Sequence, residues 1–337
     1  MSDDPYQAMH PRVSVVVPAR GNGRCVRELL EALSRQSYSL SLVDVIVVDN
    51  DPPWAQGPVA GAVHSRAWPF RVRVVVEVRA GASRARNRGI CIADGDYVAL
   101  LDPDIVPDEG WLAALVSAAV DEQAAIVGGR TITHYPEGLA RPLTDGLREC
   151  HGPVNWPSKR RPYGWPYWIT TASLLVEREV FEKIGGFRPD LGRRGRWLLG
   201  CEDLEFVDRA VQKGLTVVIE PAAVAGHPAY RRETRLGWFL EQGIGHGVSV
   251  ARMHTSVAVT AAAIRVGRRD VAAAVTHLLA AYLFFDSASA VQGLRELARI
   301  AAYRLERTRL LLIGRRLIPA EAPPPPESPS PVQKGLS

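Results

Sequence analysis

Residues Tyr97 to Trp111 read YVALLDPDIVPDEGW. The apolar run Tyr97 to Leu101 has the pattern of a short buried strand. It stops at Asp102-Pro103-Asp104. Two carboxylates one residue apart, just past the end of such a strand, stand where open α/β sheets bind ligands. Hard cations such as Mg²⁺ and Mn²⁺ take oxygen ligands and are commonly shared between carboxylates and substrate phosphates. The competing reading is a turn with a helix cap, in which Pro107 and Asp108 start the next helix at about Glu109.

Upstream, Val13 to Val17 (VSVVV) is a β-branched run ending at Pro18 and predicts a buried parallel strand. Ala19 to Gly23 follows as a loop, and Val26, Leu29, Leu30 and Leu33 recur at helical spacing. Leu42 to Val48 predicts a second strand, ending at Asp49-Asn50-Asp51. This is a βαβ unit with an acidic tip, where a carboxylate either reads the sugar or base of a nucleotide or makes a turn. No GxGxxG follows the first strand and no GxxxxGK[ST] occurs, which disfavours dinucleotide folds and P-loop enzymes. Residues 52 to 70 are a Pro/Gly-rich insert, and Val72 to Val76 predicts a third strand. Ala80 to Gly89 then opens a helix crowded with arginines. Arg84 and Arg88 share a face and Arg86 points elsewhere. A helix start with guanidinium groups suits phosphate; a solvated basic helix is the alternative.

Downstream, Leu112, Leu115, Val116 and Ala119 form a helical stripe, and a strand lies within Ala124 to Thr133. Residues 134 to 166 are irregular, a length that in a compact domain is functional or mobile. Trp165, Tyr167 and Trp168 at its end are either rings that stack on an acceptor sugar or aromatic anchors of the core. Ile169 to Val176 is strand-like and Arg178 to Ile184 helical. Leu204, Val207, Ala210 and Val211 give a helix closed by Gly214, which puts Glu202 and Asp203 in its first turn. The helix dipole favours an ionised carboxylate there, as a cap or as a catalytic base. Leu215 to Glu220 is a last strand, followed by a lone His227.

The chain has 337 residues, 47% hydrophobic and 23% charged, with a net charge of +5. That suits one large domain or two smaller ones with an anionic partner. The arginines are scattered, so no nucleic-acid partner is expected. Four cysteines without a CxxC pair indicate a reduced, cytoplasmic setting, and the acidic start MSDDPYQAMHPR is no secretory signal. Residues 1–11 and the Pro/Ser-rich residues 319–337 are expected to be disordered. Residues 236–318 predict helices over Leu236–Gly247, Val248–Val266, Val271–Gly293 and Leu294–Arg316. The apolar run Val271 to Phe285 is shorter than the roughly 20 residues a membrane span needs. The expectation is a helical cap packed on the preceding domain. The alternative is a helix pair lying on the inner face of an anionic membrane, near a lipid-linked acceptor.

In order, VSVVVPARGN, VIVVDND, AGASRARNRGI, YVALLDPDIVPDEGWL, TTASLLVEREVFEKIGGF, GCEDLEFVDRAVQKG and PAAVAGH resemble the family 2 glycosyltransferases of GT-A fold, from about Val13 to His227. The resemblance implies an α/β, Rossmann-like, mostly parallel sheet flanked by helices, with a C-terminal helical extension. A nucleotide-sugar half would occupy about 12–104 and an acceptor half about 105–235. By the same resemblance Pro18, Ala19 and Arg20 line the nucleotide pocket, Asp49 contacts the base, and Arg86 lies near the nucleotide. Asp102 and Asp104 hold Mn²⁺ or Mg²⁺ on the donor diphosphate, and His227 completes the metal site. Glu202-Asp203 matches the catalytic acidic pair, with Asp203 the general base; Trp165 and Trp168 are placed at the acceptor. The implied reaction is inverting transfer, typically of a hexose, from a nucleotide-diphosphate sugar to a hydroxyl of a glycan, a lipid-linked sugar or a small natural product. The chain departs from the pattern at VVDNDPP, where Asp51 is a doubtful contact, and at Pro103 and Ile105. A sugar nucleotidyltransferase, or a non-catalytic nucleotide-sugar-binding protein, is the alternative.

Overall fold

The computed structural model describes residues 10–52, 57–138, 143–254, 268–284 and 286–312. The β-branched run forms β1 (Val13–Ala19), in which Val13, Val15, Val16 and Val17 are wholly buried. β2 (Val43–Asp49) is buried at every position, while β3 (Arg71–Val76) lies at the sheet edge. Strands covered on both faces show continuous apolar runs rather than alternation. β1 pairs in parallel with β2 on one side and with β4 (Tyr97–Leu100) on the other. The order β3-β2-β1-β4 therefore has a topological switch between β1 and β4. Ligands of open α/β sheets bind at the carboxyl edge of such a switch. Ala19 ends β1 there, Asp49 ends β2, and Asp102 follows β4.

Beyond β4 the sheet continues through β8 (Leu174–Glu177), antiparallel to both β4 and β6 (Ile126–His134). β9 (Val217–Pro228) runs parallel to β6, with a register shift between Gly129 and Arg130. The short strands β5 (Val106–Pro107) and β7 (Arg161–Pro162) pair with β9 and complete nine strands among the described residues.

Helix α1 (Gly23–Leu33) is capped by the Asn22 side chain and buries Val26, Leu29, Leu30 and Leu33, the predicted stripe. The insert at 52–70 contains a helix, α2 (Pro58–His64), that its Pro/Gly composition hid. Helix α3 (Ala82–Ile92) lies close on the sheet, because a Cβ on Gly89 would stand 2.4 Å from Val16 Cγ1. Helix α4 (Trp111–Asp121) starts two residues later than Glu109. Val106 and Pro107 are held in β5 against Ala225 and Gly226, and Gln36 donates to the Asp108 carbonyl and accepts from Leu112 N–H. The loop at 134–166 holds one turn of helix, α5 (Asp145–Arg148). The strand expected over Ile169–Val176 is shorter: Ile169 is buried outside it, filling the space over Gly128. Helices α6 (Arg178–Ile184) and α7 (Glu202–Gln212) fall as predicted. The last strand is longer than predicted and carries His227.

In the C-terminal region α8 (Leu236–Met253) runs straight through Gly247, and α10 (Ser287–Leu312) through Gly293; α9 (Arg268–Phe284) precedes it. The expected breaks at those glycines are corrected for one reason: the glycines are close-approach points. A Cβ on Gly247 would meet the Arg299 carbonyl at 2.2 Å, and one on Gly293 would meet Leu278 at 2.8 Å. The break falls instead at Asp286, whose carboxylate accepts from Ala288 N–H and Ser289 Oγ–H. Residues 255–266 of the predicted Val248–Val266 helix and 313–316 of the predicted Leu294–Arg316 helix lie outside the described residues, as do 1–9 of the predicted N-terminal tail and the whole predicted tail 319–337. Pro11, assigned by sequence to the N-terminal tail, is buried and its carbonyl accepts from Tyr38 Oη–H. No helix among the described residues is long and apolar enough to cross a membrane.

Candidate active site

The Asp-x-Asp turn is closed by Ile105 N–H to the Asp102 carbonyl. Ile105, where the family pattern allows polar residues, is fully buried, and so is Trp111, whose Nε1–H donates to Ser173 Oγ at 2.8 Å. These two apolar side chains seat the turn in the core, and its two carboxylates stay partly exposed. Tyr230 Oη–H donates to Asp104 at 3.3 Å, and His227 Nε2 lies 4.0 Å away, wider than a hydrogen bond. Burial pushes Asp104 above the usual carboxylate range; His227 opposes that and the charge of Asp102 adds to it. His227 Nδ1 is buried with no hydrogen-bond partner among the described residues.

Arg86 joins this turn to the second acidic pair. Its guanidinium donates to Asp102 Oδ1 at 2.7 Å and to Glu202 Oε1 at 2.9 Å, and the side chain is buried. Burial works against its charge, but the two carboxylates more than offset that and raise its pKa. Glu202 and Asp203 occupy the first turn of α7, as the sequence predicts. The residue before them, Cys201, is buried with φ 65°, a left-handed conformation that costs a non-glycine residue roughly 1–2 kcal/mol. Glu202 is fixed by Arg86, whereas Asp203 keeps part of its surface open and accepts from Leu204 N–H at 2.8 Å. Burial first, and Glu202 second, push Asp203 up to about 7.

The start of α3 is not an open phosphate cradle. Ala82 N–H donates to the Arg193 carbonyl and Ser83 Oγ–H to the Leu191 carbonyl. The loop that covers it depends on Gly192 (φ 79°), where a Cβ would stand 2.8 Å from Ser83 Oγ and 3.0 Å from Glu202 Cδ.

On the nucleotide side Asp49 is buried and raised by that burial, and it accepts from Asp51 N–H. Asp51 accepts from Gly21 N–H at 2.6 Å, so its role is to hold the loop after β1. Asn50 donates to the Glu77 and Arg79 carbonyls and accepts from Gly81 N–H, tying three segments together. Pro18 is half-buried, Ala19 buried and Arg20 exposed, reaching toward Gly195. Trp165 is 79% exposed and so no core anchor, whereas Tyr167 packs on the core under the Arg161 guanidinium. Trp168 is half-buried, and its buried Nε1–H has no hydrogen-bond partner among the described residues. Sequence reasoning missed Tyr230, Asn50 and Gly192; only Asn50 carried a signal, its place in the acidic tip.

Among the described residues no three His, Cys, Asp or Glu side chains stand close enough to hold an ion unaided. The nearest set is Asp104 with His227, beside Asp102. An O/N set of this size, with an unpartnered imidazole nitrogen behind it, fits a divalent cation that takes its remaining ligands from substrate phosphate.

A switch-point sheet with an Asp-x-Asp at its carboxyl edge, facing an acidic helix start, defines a nucleotide-sugar transferase of GT-A type. Residues 14–185, just over half of the chain, match the family model described as Glycosyl transferase family 2, and the chain belongs to that family. Glycosyltransferase AglE of Haloferax volcanii is 28% identical over 220 residues, 65% of this chain and 67% of that protein. The pre-mycofactocin glycosyltransferase of Mycobacterium tuberculosis is 27% identical over 234 residues, 66% of this chain but 44% of that one. The chain thus spans under half the length of the second relative. In fold it is similar to the mannosyltransferase PcManGT from Pyrobaculum calidifontis, solved with GDP-Man and Mn²⁺: TM-score 0.59, 18% identity, 89% of this chain and 87% of that one.

Proposed function

We propose that this protein is a metal-assisted, inverting glycosyltransferase that moves a hexose from a nucleoside-diphosphate sugar to an acceptor hydroxyl. The observation that carries this is the single buried guanidinium of Arg86 between Asp102 and Glu202, which sets the two acidic clusters on one cleft. The nucleotide lies over the ends of β1 and β2, with Asp49 at the base and Pro18, Ala19 and Arg20 around it. Asp104 and His227, with Asp102, would hold Mn²⁺ or Mg²⁺ on the diphosphate; PcManGT, solved with GDP-Man and Mn²⁺, supports that choice. When bound, the ion neutralises the charge that develops on the departing nucleoside diphosphate. Asp203 takes the proton of the acceptor hydroxyl as it attacks the anomeric carbon. A base near 7 is matched to neutral pH, and attack opposite the leaving group needs only one. Glu202, held by Arg86, would support the same catalytic pair by fixing its geometry while Asp203 takes the proton. The exposed ring of Trp165 offers an acceptor sugar a stacking face, and the half-buried Trp168 ring lies close by in sequence. We infer an intracellular setting from four cysteines that form no CxxC pair in the sequence.

A nucleotidyltransferase would need a basic Gly-rich loop after β1; here Asp51 takes the Gly21 N–H and Asn22 caps α1. The test is a binding screen of UDP-, GDP- and dTDP-sugars with Mn²⁺, by thermal shift, followed by release of nucleoside diphosphate. One donor at a hundredfold over its Kd stabilises the fold by about 2.7 kcal/mol. A chain that binds none of them, with or without the ion, is not this enzyme.

A further inference from the structure

Helix α9 packs mainly against α10. Among the described side chains of α9, Ala274 alone is fully buried. Val275, Leu279, Tyr282 and Leu283 recur at helical spacing on its outer face and are 45% to 80% exposed. A second stripe runs along α10: Leu294, Leu297, Leu305 and Leu312, exposed by 37% to 81%. Isolated surface leucines need no explanation, but two apolar stripes on neighbouring helices do.

The charges say what covers them. Residues 268–312 carry seven arginines and four carboxylates. All four carboxylates are engaged within the protein. Asp270 accepts from Arg299 and Asp286 caps α10. Glu296 accepts from Arg295 and Arg299, and Glu306 from Arg252 and Arg309. Arg269, Arg304, Arg307 and Arg309 are exposed. The outer surface therefore pairs apolar stripes with a net positive charge.

We propose that α9 and α10 dock on an anionic lipid bilayer and lie in its interface, with Leu279, Tyr282 and Leu283 among the acyl chains and the exposed arginines at the headgroups. A second copy fits less well, since a two-fold contact would bring like-charged arginines together. Neither helix is long and apolar enough to cross the bilayer. Lying in the interface plane is what apolar faces rimmed with arginine do. This inference does not depend on the transferase chemistry.

The test is co-sedimentation of the full chain with vesicles of phosphatidylcholine alone and of phosphatidylcholine and phosphatidylglycerol in equal parts. Binding is expected to the mixed vesicles only, weakening as salt is raised. Arg304→Gln should lower the partition coefficient about fivefold. Leu279→Gln with Leu283→Gln should lower it by about a hundredfold or more. These positions are exposed, so circular dichroism and nucleotide-sugar binding should match wild type. The proposal fails if wild type ignores mixed vesicles, binds both kinds equally, or binds undiminished in the double variant. It fails too if light scattering shows a dimer that the double variant abolishes.

Discussion

Asp203→Asn removes one charge from the start of α7 and leaves its shape nearly unchanged. Burial holds the native Asp203 at about 7, against about 3.9 for an unperturbed carboxyl. Between those values the native state keeps a proton that the unfolded chain has released. Native protein then binds more protons than unfolded protein, so stability falls as pH rises through this window. The whole span corresponds to about 4 kcal/mol. Because Asp203 keeps part of its surface in the cleft, some hydration survives, and about half of that, ~2 kcal/mol, is the figure to expect. The amide carries no such penalty and can still accept from Leu204 N–H. At pH 8 the variant should be more stable than wild type by about 2 kcal/mol, and near pH 4 the two should converge. Urea unfolding followed by tryptophan fluorescence, at a series of pH values, measures the gap. Transfer should fall about 10²- to 10⁴-fold in the variant, while wild-type kcat/KM should drop with falling pH below about 7. A variant less stable than wild type at pH 8, or one that transfers sugar at the wild-type rate, refutes both the burial argument and the assignment.

Arg86→Met leaves Asp102 and Glu202 facing each other without their shared cation, and should lower unfolding free energy by about 3–5 kcal/mol. Arg86→Lys should recover only part of it, since one ammonium cannot span both carboxylates; a loss under about 1 kcal/mol in the Met variant would contradict the bridge. Asp104→Asn should abolish the extra thermal stabilisation that Mn²⁺ adds to donor binding, as EDTA does in wild type; equal shifts with and without the ion would place the metal elsewhere. Gly89→Ala forces a methyl to 2.4 Å from Val16 and should cost about 1–3 kcal/mol in urea unfolding, a penalty larger than the helix propensity gained.

The first four strands were legible because β1, β2 and β4 are apolar runs with Pro18, Asp49 and Asp102 at or just past their ends, the edge where the candidate site forms. The two acidic pairs were legible as spaced motifs. What joins them was not. Helical spacing separates Arg86 from Arg84 and Arg88, but nothing local says that its partners lie 16 and 116 residues away. The C-terminal glycines failed for a related reason. Sequence shows that a Cβ is missing, not whether a neighbour fills its place, so Gly247 and Gly293 looked like stops and are contacts. Ile169 shows the same limit in reverse: an apolar residue beside a strand can be buried as loop, here over Gly128. The Asp-x-Asp helix start shifted because Gln36, 72 residues from Asp108, takes its cap.

The segment leading into Asp203 leans on α8. Arg252 donates to the Asp190 carbonyl, Ser249 Oγ accepts from Gly200 N–H, and Gly245 lies against the Leu198 carbonyl. A chimaera spliced just after β9 would therefore carry Asp203, the proposed base, on someone else's scaffolding. Grafting donor specificity between relatives should succeed with cut points before Asp190, or with α8 and α10 travelling alongside α7.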